Sequence, residues 1–237
     1  MPAIVEADDL GLYVLKFRGA GQGPLALVAE LISGEIGRAL GIRVPEIVLM
    51  EVDEALGRNE PDPEIRQLLL ASTGLNLALD YLPGSLMFDA AARLSVDPAF
   101  ASAVVWFDAY ITNVDRTARN PNLLWWHKLL YCIDHGASLY FHHDWSSIER
   151  AAGSPFAAIR DHVLLPWADQ LQDFTPRLSE EILSGIVSQV PDAWLLPEEG
   201  AAEPAEKRRA YVEYLLRRLA AAPVFAEEAL RARAALV

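Results

Sequence analysis

The hydrophobic pattern of this chain changes at Pro83-Gly84, and the change limits the folds that the chain can adopt. Before this dipeptide, residues 13–17 and 75–82 alternate apolar and polar side chains, which predicts two β-strands. Between them, residues 25–40 have apolar side chains at helical spacing. After the dipeptide, helical patterns dominate. We therefore expect an α+β fold of two lobes, with a small antiparallel sheet and one long helix in the first lobe and a mostly helical second lobe.

The dipeptide divides the 237 residues into an N-terminal lobe, residues 1–83, and a C-terminal lobe, residues 84–237. Because 52% of the residues are hydrophobic, a chain of this length can bury a sizeable core. The other elements expected, in chain order, are a strand over residues 43–52, a short helix over 61–71, helices over 85–94 and 97–111, short strands over 123–126 and 129–133, and an acidic loop over 197–204.

Composition excludes several classes of protein. The formal net charge of −13 repels a phosphate backbone, so we expect no direct nucleic-acid binding. The first ten residues lack the basic and apolar segments of a signal peptide, and no apolar run approaches the roughly 18–20 residues that span a bilayer. Since Cys132 is the one cysteine, a disulfide framework is excluded and the reducing cytoplasm is the expected compartment. The oligomeric state is left open.

The densest polar cluster of the chain, residues 113–122, lies between a predicted helix and a predicted pair of strands. Within it Asp115 and Asn120 are five residues apart, and Asp134 leaves an apolar strand fourteen residues later. Phosphoryl transfer needs a carboxylate to orient the acceptor hydroxyl, oxygen ligands for Mg²⁺ and a cation for the phosphates. Lys16, on the first predicted strand, supplies that cation. The alternative, in which these polar residues only cap turns, does not explain their order.

Four segments resemble the HipA-like kinase family, namely YVLKF, ALVAELISGEIGRALGIRVPE, NVDRTARNPNLLW and IDHGASLYFHH. This family is a branch of the protein-kinase-like fold, and the catalytic loop is also similar to that of type II phosphatidylinositol 4-kinases. The resemblance covers about residues 10–145 by motif. It implies a two-lobed phosphotransferase that uses ATP and Mg²⁺ and transfers the γ-phosphoryl group to a hydroxyl acceptor.

The resemblance also implies roles for residues of the N-terminal lobe. Lys16 would hold the nucleotide phosphates, and Glu30 would pair with this lysine from the long helix. Backbone groups of Asp80, Tyr81 and Leu82 would receive the adenine base at a hinge between the lobes.

In the C-terminal lobe, the resemblance assigns the catalytic base and the metal ligands. Asp115 would orient the acceptor hydroxyl, and Asn120 and Asp134 would bind Mg²⁺. Two of these assignments keep an alternative. Asn122 is a rival to Asn120 as a metal ligand, and Glu35 is a rival to the other glutamate of the long helix as the partner of the lysine.

The chain departs from the family pattern before the lysine strand, where the family has a phosphate loop that contains glycine or serine. Only twelve residues precede Tyr13, Gly11 is the one glycine among them, and the glycine-rich connection over residues 19–23 follows the lysine. The departure favours an alternative function, a non-catalytic kinase-like binding module with a weakened nucleotide site. The retained lysine, aspartates and asparagine favour the enzyme.

The acceptor has three candidate classes. The resemblance implies a protein serine or threonine, and the similarity to lipid kinases adds a lipid or a small molecule. A small-molecule kinase of the aminoglycoside type is expected to have an H-G-D loop, whereas Thr112-Asn113-Val114 precede Asp115 here.

Three other polar features have both a structural and a functional interpretation. Arg116 either steadies a phosphate or braces the polar loop. The run His142-His143-Asp144 suggests a metal site, but adjacent residues on a strand point to opposite faces, which argues against it. Cys132 lies within an apolar strand and is expected to be a buried, inert thiol.

Overall fold

A four-stranded antiparallel sheet forms from the alternating segments before Pro83. The computed structural model describes residues 2–21, 23–92, 95–195 and 202–236. The strands of this sheet are β1 (Pro2–Glu6), β2 (Leu12–Lys16), β3 (Ile47–Val52) and β4 (Gly74–Asp80). Their spatial order is β1-β2-β4-β3, and in this register Lys16 is opposite Pro2 on one side and Leu77 on the other.

Helix α1 (Pro24–Ala39) lies on one face of this sheet and α3 (Pro63–Ala71) on the other, while α2 (Glu54–Asn59) packs on α3. Leu15 and Phe17 pack on one face with leucines of α3, whereas Val14 and Leu77 belong to the main core on the face of α1. Side chains alternate along a strand, so Lys16 lies on the same face as Val14. The lysine is therefore directed toward α1 and not toward solvent above α3.

Helix α1 begins with Pro24 at its first turn, and the chain leaves it through Gly41 with φ +82°. Nearly all of its middle turns are buried, because α1 lies between the sheet and the helices of the second half. Glu30 is buried among these apolar side chains. A buried carboxylate requires a charged or hydrogen-bonding partner, which the site supplies.

A second, three-stranded antiparallel sheet lies after Pro83, in the order β5-β6-β7. Its strands are β5 (Leu86–Met87), β6 (Leu123–Trp126) and β7 (Leu129–Cys132). The two-residue turn His127-Lys128 has φ of +47° and +64°, as a tight hairpin requires. This hairpin returns the chain so that the Ile133 amide donates to the Asn122 carbonyl at 3.0 Å. The predicted polar loop and Asp134 therefore meet at one edge.

In the described residues after Pro83, loops and short 3₁₀ turns connect the remaining α-helices. These helices are α4 (Pro98–Ile111), α5 (Ile148–Ala152), α6 (Glu180–Ser188), α7 (Asp192–Leu195), α8 (Pro204–Ala220) and α9 (Ala222–Ala234). Helix α4 is at the centre, where Trp106 stacks on Tyr110 at 5.4 Å and contacts Phe225 of α9 edge-on. Within the part of the chain that the structure describes, no helix has both the length and the apolar composition needed to cross a membrane.

The structure corrects several expected elements. The helix expected over 85–94 is wrong for its described part, because Leu86 and Met87 pair with β6 and only a short 3₁₀ turn, Ala90–Ala92, follows. Strand β1 and helix α2 have weak patterns and were not anticipated; β1 is held by its pairing with β2. Most of the acidic loop expected over 197–204 lies outside the described residues.

Candidate active site

One lysine joins three elements at the cleft between the first sheet and the helical part. Lys16 Nζ, at the end of β2, lies 2.7 Å from Glu30 Oε2 on α1 and 2.7 Å from Asp134 Oδ1 after β7. The two carboxylates are 14 and 118 positions away along the chain. Three residues that the sequence predicted for one site are thus brought into contact.

The Glu30 carboxylate is fully buried and has a second donor, the backbone N–H of His135, at 2.6 Å. Burial alone would raise the pKa of Glu30, but Lys16 and the neighbouring His135 side chain outweigh it and hold the pKa well below the ordinary 4.5. Burial lowers the pKa of Lys16, and the two carboxylates raise it above the ordinary value. Both groups are therefore charged at neutral pH. The rival, Glu35, pairs instead with Arg38 at 3.4 Å.

Asp134 differs from Glu30 in its exposure. Its side chain is 51% exposed, and its backbone has φ +57°, a left-handed conformation that aspartate adopts more readily than most residues. Two residues later, a side chain at Gly136 would approach the Ala26 carbonyl of α1 to 3.4 Å. The turn after Asp134 thus passes close to α1 while the carboxylate stays open to the cleft.

The polar loop places two amides on one carboxylate. Asn120 Nδ2 donates to Asp115 Oδ2 at 2.7 Å, and Asn122 Nδ2 donates to the same oxygen at 3.2 Å. Asn122 is buried, whereas Asn120 and Asp115 are half-buried and face the solvent side of the loop. Of the two rival asparagines, Asn120 is therefore the more accessible to solvent.

The donor chemistry of this edge fits a magnesium ion. The Asp134 carboxylate and the Asn120 amide oxygen are hard oxygen ligands, and Mg²⁺ in phosphotransferases uses one or two carboxylates together with substrate phosphates. Among the described residues, no group of three His, Cys, Asp or Glu side chains is arranged to hold a metal ion by itself. The buried His142 instead contacts the Tyr211 hydroxyl at 2.9 Å.

A cavity of about 190 Å³ opens beside the lysine. Its lining includes Pro2 of β1, Lys16, Ala20, Gly21 and Asp134. The glycine-rich connection that follows the lysine thus borders the same space as the lysine itself. Gly21 has φ +55°, and a side chain there would meet no other atom within 4 Å, so the backbone faces open space.

The predicted hinge lies where β4 ends. The backbone N–H of Asp80 donates to the Glu46 carbonyl at 2.8 Å, and that of Tyr81 donates to the Leu12 carbonyl at 3.0 Å. Leu82 is buried, and its carbonyl accepts from the Ser85 amide. Of the described residues that line the cavity around the lysine, none belongs to this stretch.

Sequence reasoning missed one buried residue of the site, Asp108 on α4. Its carboxylate accepts from Arg116 Nε at 2.5 Å, from His162 Nε2 at 2.8 Å and from Asn113 Nδ2 at 3.0 Å. Arg116 is itself 1% exposed, so it braces the loop and cannot reach a phosphate. The available signal was a lone aspartate within the apolar helix AFASAVVWFDAYI, just before the polar loop.

Comparisons with known proteins identify the fold and the family of the chain. A model of the HipA-like kinase family matches residues 1–228. The crystal structure of the Helicobacter pylori proinflammatory kinase CtkA is similar with a TM-score of 0.55 and 11% identity, over 97% of this chain and 91% of that chain. This likeness confirms the expected α+β, kinase-like fold. No curated protein matches the sequence significantly. Because the family model covers nearly all of its residues, the chain belongs to the HipA-like kinase family.

Proposed function

We propose that this chain is an ATP- and Mg²⁺-dependent phosphotransferase that moves the γ-phosphoryl group to a protein serine or threonine. Residues 1–83 are its nucleotide-binding lobe and residues 84–237 its catalytic lobe. The observation that supports the proposal most is the position of Lys16 Nζ, at 2.7 Å from both Glu30 and Asp134. A buried glutamate that fixes a lysine beside an accessible aspartate is an arrangement suited to phosphate and metal.

The cleft face of the first sheet suits a nucleotide. On this face Ile4 is opposite Val14, and Pro2 is opposite Lys16. Ile4 is 60% exposed despite its apolar side chain, so a base that packs beneath it removes apolar surface from water. Leu12 of β2 lies beside the predicted hinge, and Lys16 is four residues farther along the same strand. At about 3.3 Å per residue the two residues are about 13 Å apart, a distance suited to a nucleoside triphosphate.

The chain's own residues then position the reaction. Asp115 orients the acceptor hydroxyl and takes its proton as the hydroxyl oxygen bonds to the γ-phosphorus and the bond to the β-phosphate oxygen breaks, releasing ADP. Lys16 neutralises phosphate charge, and Glu30 holds the lysine in place. Asn120 and Asp134 would hold Mg²⁺, which supplies further charge neutralisation at the phosphates when bound.

One observation favours a second candidate, a non-catalytic kinase-like binding module. The turn between β1 and β2 is acidic, and Asp9 closes it by accepting from the Gly11 amide at 2.8 Å and from the Tyr13 hydroxyl at 2.7 Å. This turn lies at the end of the β1–β2 pair away from Lys16, on the side of the predicted hinge, where its negative charge disfavours an anionic nucleotide and lowers the affinity. In that case the fold would serve to recognise a partner.

Thermal unfolding tests nucleotide binding first. Wild type, Asp134→Ala and the control Glu51→Gln are unfolded with and without ATP, in Mg²⁺ and in EDTA. Glu51 is an exposed carboxylate on β3, two strands away from Lys16, and it does not line the cavity beside the lysine. ATP at 100 times its Kd stabilises the native state by about 2.7 kcal/mol. We expect a Mg²⁺-dependent stabilisation of wild type and control that Asp134→Ala loses. No shift for wild type at millimolar ATP contradicts the proposal.

Transfer of labelled γ-phosphate separates the two candidates and the acceptor classes. Wild type is incubated with labelled ATP and, in separate reactions, mixed protein, phosphoinositide vesicles or small polyols. Label on protein serine or threonine supports the proposal, and label only on lipid or polyol replaces the acceptor class. Binding without transfer to any acceptor, including the chain itself, leaves the binding module as the function.

A further inference from the structure

The Asp108 carboxylate accepts hydrogen bonds from three side chains that belong to two other segments of the chain. Asn113 and Arg116 contact it from the polar loop, and His162 contacts it from residues 162–164, a segment here called the strap, which pairs with the loop at Thr117. Asp108 is fully buried and lies outside the cavity beside the lysine, so it cannot touch a substrate. Any effect of this carboxylate on the reaction must act through the residues that it holds.

One connection leads to the catalytic-loop aspartate. Asn113 donates from Nδ2 to Asp108 Oδ1 at 3.0 Å, and its own Oδ1 accepts from the Asp115 backbone N–H at 3.1 Å. The chain reaches this position through Thr112, which ends α4 in a left-handed conformation with φ +56°. A single amide side chain therefore ties the backbone of Asp115 to the carboxylate on the helix.

A second connection leads to the metal-binding aspartate. The guanidinium of Arg116 pairs with Asp108 and also donates to two backbone carbonyls, that of Asn122 and, at 3.3 Å, that of Ile133. Ile133 directly precedes Asp134. The arginine thus joins the end of the polar loop to the residue before the second aspartate, and only a group with several fixed donors can do so.

His162 completes the pairing of the carboxylate. Its Nδ1 accepts from the Leu164 backbone N–H at 3.1 Å, so the proton of the neutral ring is on Nε2, which donates to Asp108 at 2.8 Å. The strap is also fixed to the loop by the Val163 amide, which donates to the Arg116 carbonyl at 3.1 Å. The Asp108 carboxylate is therefore held by the strap as well as by the polar loop.

We infer that Asp108 is a positioning residue of the phosphotransferase, which sets the position of Asp115 relative to Asp134 through Asn113 and Arg116. The inference rests on the proposed function. A misplacement of about 1 Å in a reacting constellation costs on the order of 100-fold in rate, even when its cause lies away from the chemistry. Loss of this carboxylate or of its link to the loop thus slows transfer without removing a group that contacts ATP.

The test compares kcat, the KM for ATP and the Mg²⁺ concentration for half-maximal rate in wild type, Asp108→Asn and Asn113→Ala. We expect kcat to fall about 10- to 100-fold, the KM for ATP to change less than about 3-fold, and the Mg²⁺ requirement of Asp108→Asn to rise. Arg218→Met is the matched control, because this buried arginine binds the Ala109 and Tyr110 carbonyls of the same helix but nothing in the loop. It should lower Tm and leave kcat and the Mg²⁺ requirement at their wild-type values below Tm.

The outcomes separate the inference from the proposed function. Wild type that transfers no phosphate to any acceptor overturns the proposed function, and the inference with it. Active wild type together with wild-type kcat in both Asp108→Asn and Asn113→Ala, even at lowered Tm, shows that Asp108 is only structural and overturns the inference alone. If Asp108→Asn does not fold, Asn113→Ala decides, since it cuts the link to Asp115 and leaves the ion pair with Arg116 intact.

Discussion

Two clusters of charged side chains meet at the site, and they differ in how completely the protein pairs them. The closed cluster consists of Asp108, Arg116 and His162. Its carboxylate accepts from three side chains, its arginine also donates to backbone carbonyls, and both ring nitrogens of its histidine have partners. All three residues are buried. The closed cluster therefore has no accessible, unpaired group with which to bind a ligand.

The open cluster consists of Lys16, Glu30 and Asp134, with His135 beside it. Its lysine is shared between two carboxylates, and one of these is half exposed. Among the described residues, Glu30 Oε1 and both ring nitrogens of His135 have no hydrogen-bond partner, although His135 Nδ1 lies 3.5 Å from that oxygen. Here the protein leaves polar capacity unused and one carboxylate accessible.

The same chemical groups therefore serve different purposes according to their pairing. A buried and fully paired carboxylate holds segments together, and its removal leaves an uncompensated charge. An accessible carboxylate beside a shared cation can exchange its protein partner for a metal ion or a phosphate. Perturbed charges in a cleft indicate a functional site only when they are also accessible, and this comparison separates the two cases.

The largest effect on stability is expected when the closed cluster is broken. Arg116→Met leaves Asp108 buried without its cation, which costs about 3–5 kcal/mol in the free energy of unfolding. For a chain of this size the loss corresponds to a Tm lower by roughly 6–20 °C. Denaturant and thermal unfolding measure both quantities. Lys16→Met, in the open cluster, should cost clearly less, because the side chain of Lys16 is 17% exposed and binds no backbone carbonyl, whereas Arg116→Met also removes a donor from the Asn122 and Ile133 carbonyls. An equal cost for both variants would contradict the distinction.

The next largest effect is on activity, and for activity the open cluster is expected to be the more sensitive of the two. Asp134→Ala removes the accessible carboxylate of the open cluster, so phosphate transfer should fall by at least about 100- to 1000-fold. The free energy of unfolding should change by less than about 1 kcal/mol, because the lost ion pair is partly exposed to solvent. Initial rates with labelled ATP and denaturant unfolding are measured on the same preparation. Full activity in this variant would remove Asp134 from the site.

Residues of the site that are close together along the chain could be predicted from the sequence better than residues that only the tertiary fold brings together. The order of Asp115, Asn120 and Asp134 after a strand lysine predicted one candidate site, and the hairpin β6–β7 brings the loop and the last aspartate to one edge as the short strands predicted. The glutamate of α1 was chosen over Glu35 by resemblance, since helical periodicity placed it off the apolar stripe. Its burial depends on packing from both sides of α1, which no single stripe shows.

The closed cluster was harder to predict, because its members are joined only by the tertiary fold. Asp108 and His162 are 54 positions apart, and the segment around His162 has little regular structure to mark it. Arg116 had two interpretations from sequence, and only its burial decides between them. Strand β1 was missed for a similar reason, since its stability comes from pairing with β2 and not from its own short pattern.

The pH dependence of stability provides a smaller effect that both clusters share. Neighbouring cations and hydrogen bonds outweigh burial and lower the pKa of Glu30 and of Asp108 below the ordinary values of 4.5 and 3.8. Each carboxylate therefore contributes stability that is present above its ordinary pKa and is lost as the pH falls below it, by up to about 1.4 kcal/mol per pH unit and proton.

Glu30→Gln should make the free energy of unfolding less steep below pH 4.5, whereas the exposed control Glu51→Gln should retain the wild-type slope. Urea unfolding at pH 3.5, 4.5 and 7 measures the slope. His142 acts in a higher window: burial lowers its pKa from 6.5 to about 3, so its contribution is lost as the pH falls below 6.5. A slope below pH 4.5 that Glu30→Gln leaves unchanged would show that this carboxylate is not held ionised by the lysine.

The smallest effect is expected for Glu35, the rival glutamate of α1. Partial burial raises its pKa despite Arg38, so its charged form is slightly disfavoured in the folded protein at pH 7. Glu35→Gln removes that charge and should change the free energy of unfolding by no more than about 0.5 kcal/mol, in the stabilising direction. Phosphate transfer should stay at the wild-type rate, because this side chain contacts Arg38 and not Lys16. If Glu35→Gln lost transfer while Glu30→Gln kept the wild-type rate, Glu35 and not Glu30 would be the functional partner of Lys16. The definition of the open cluster would then be wrong.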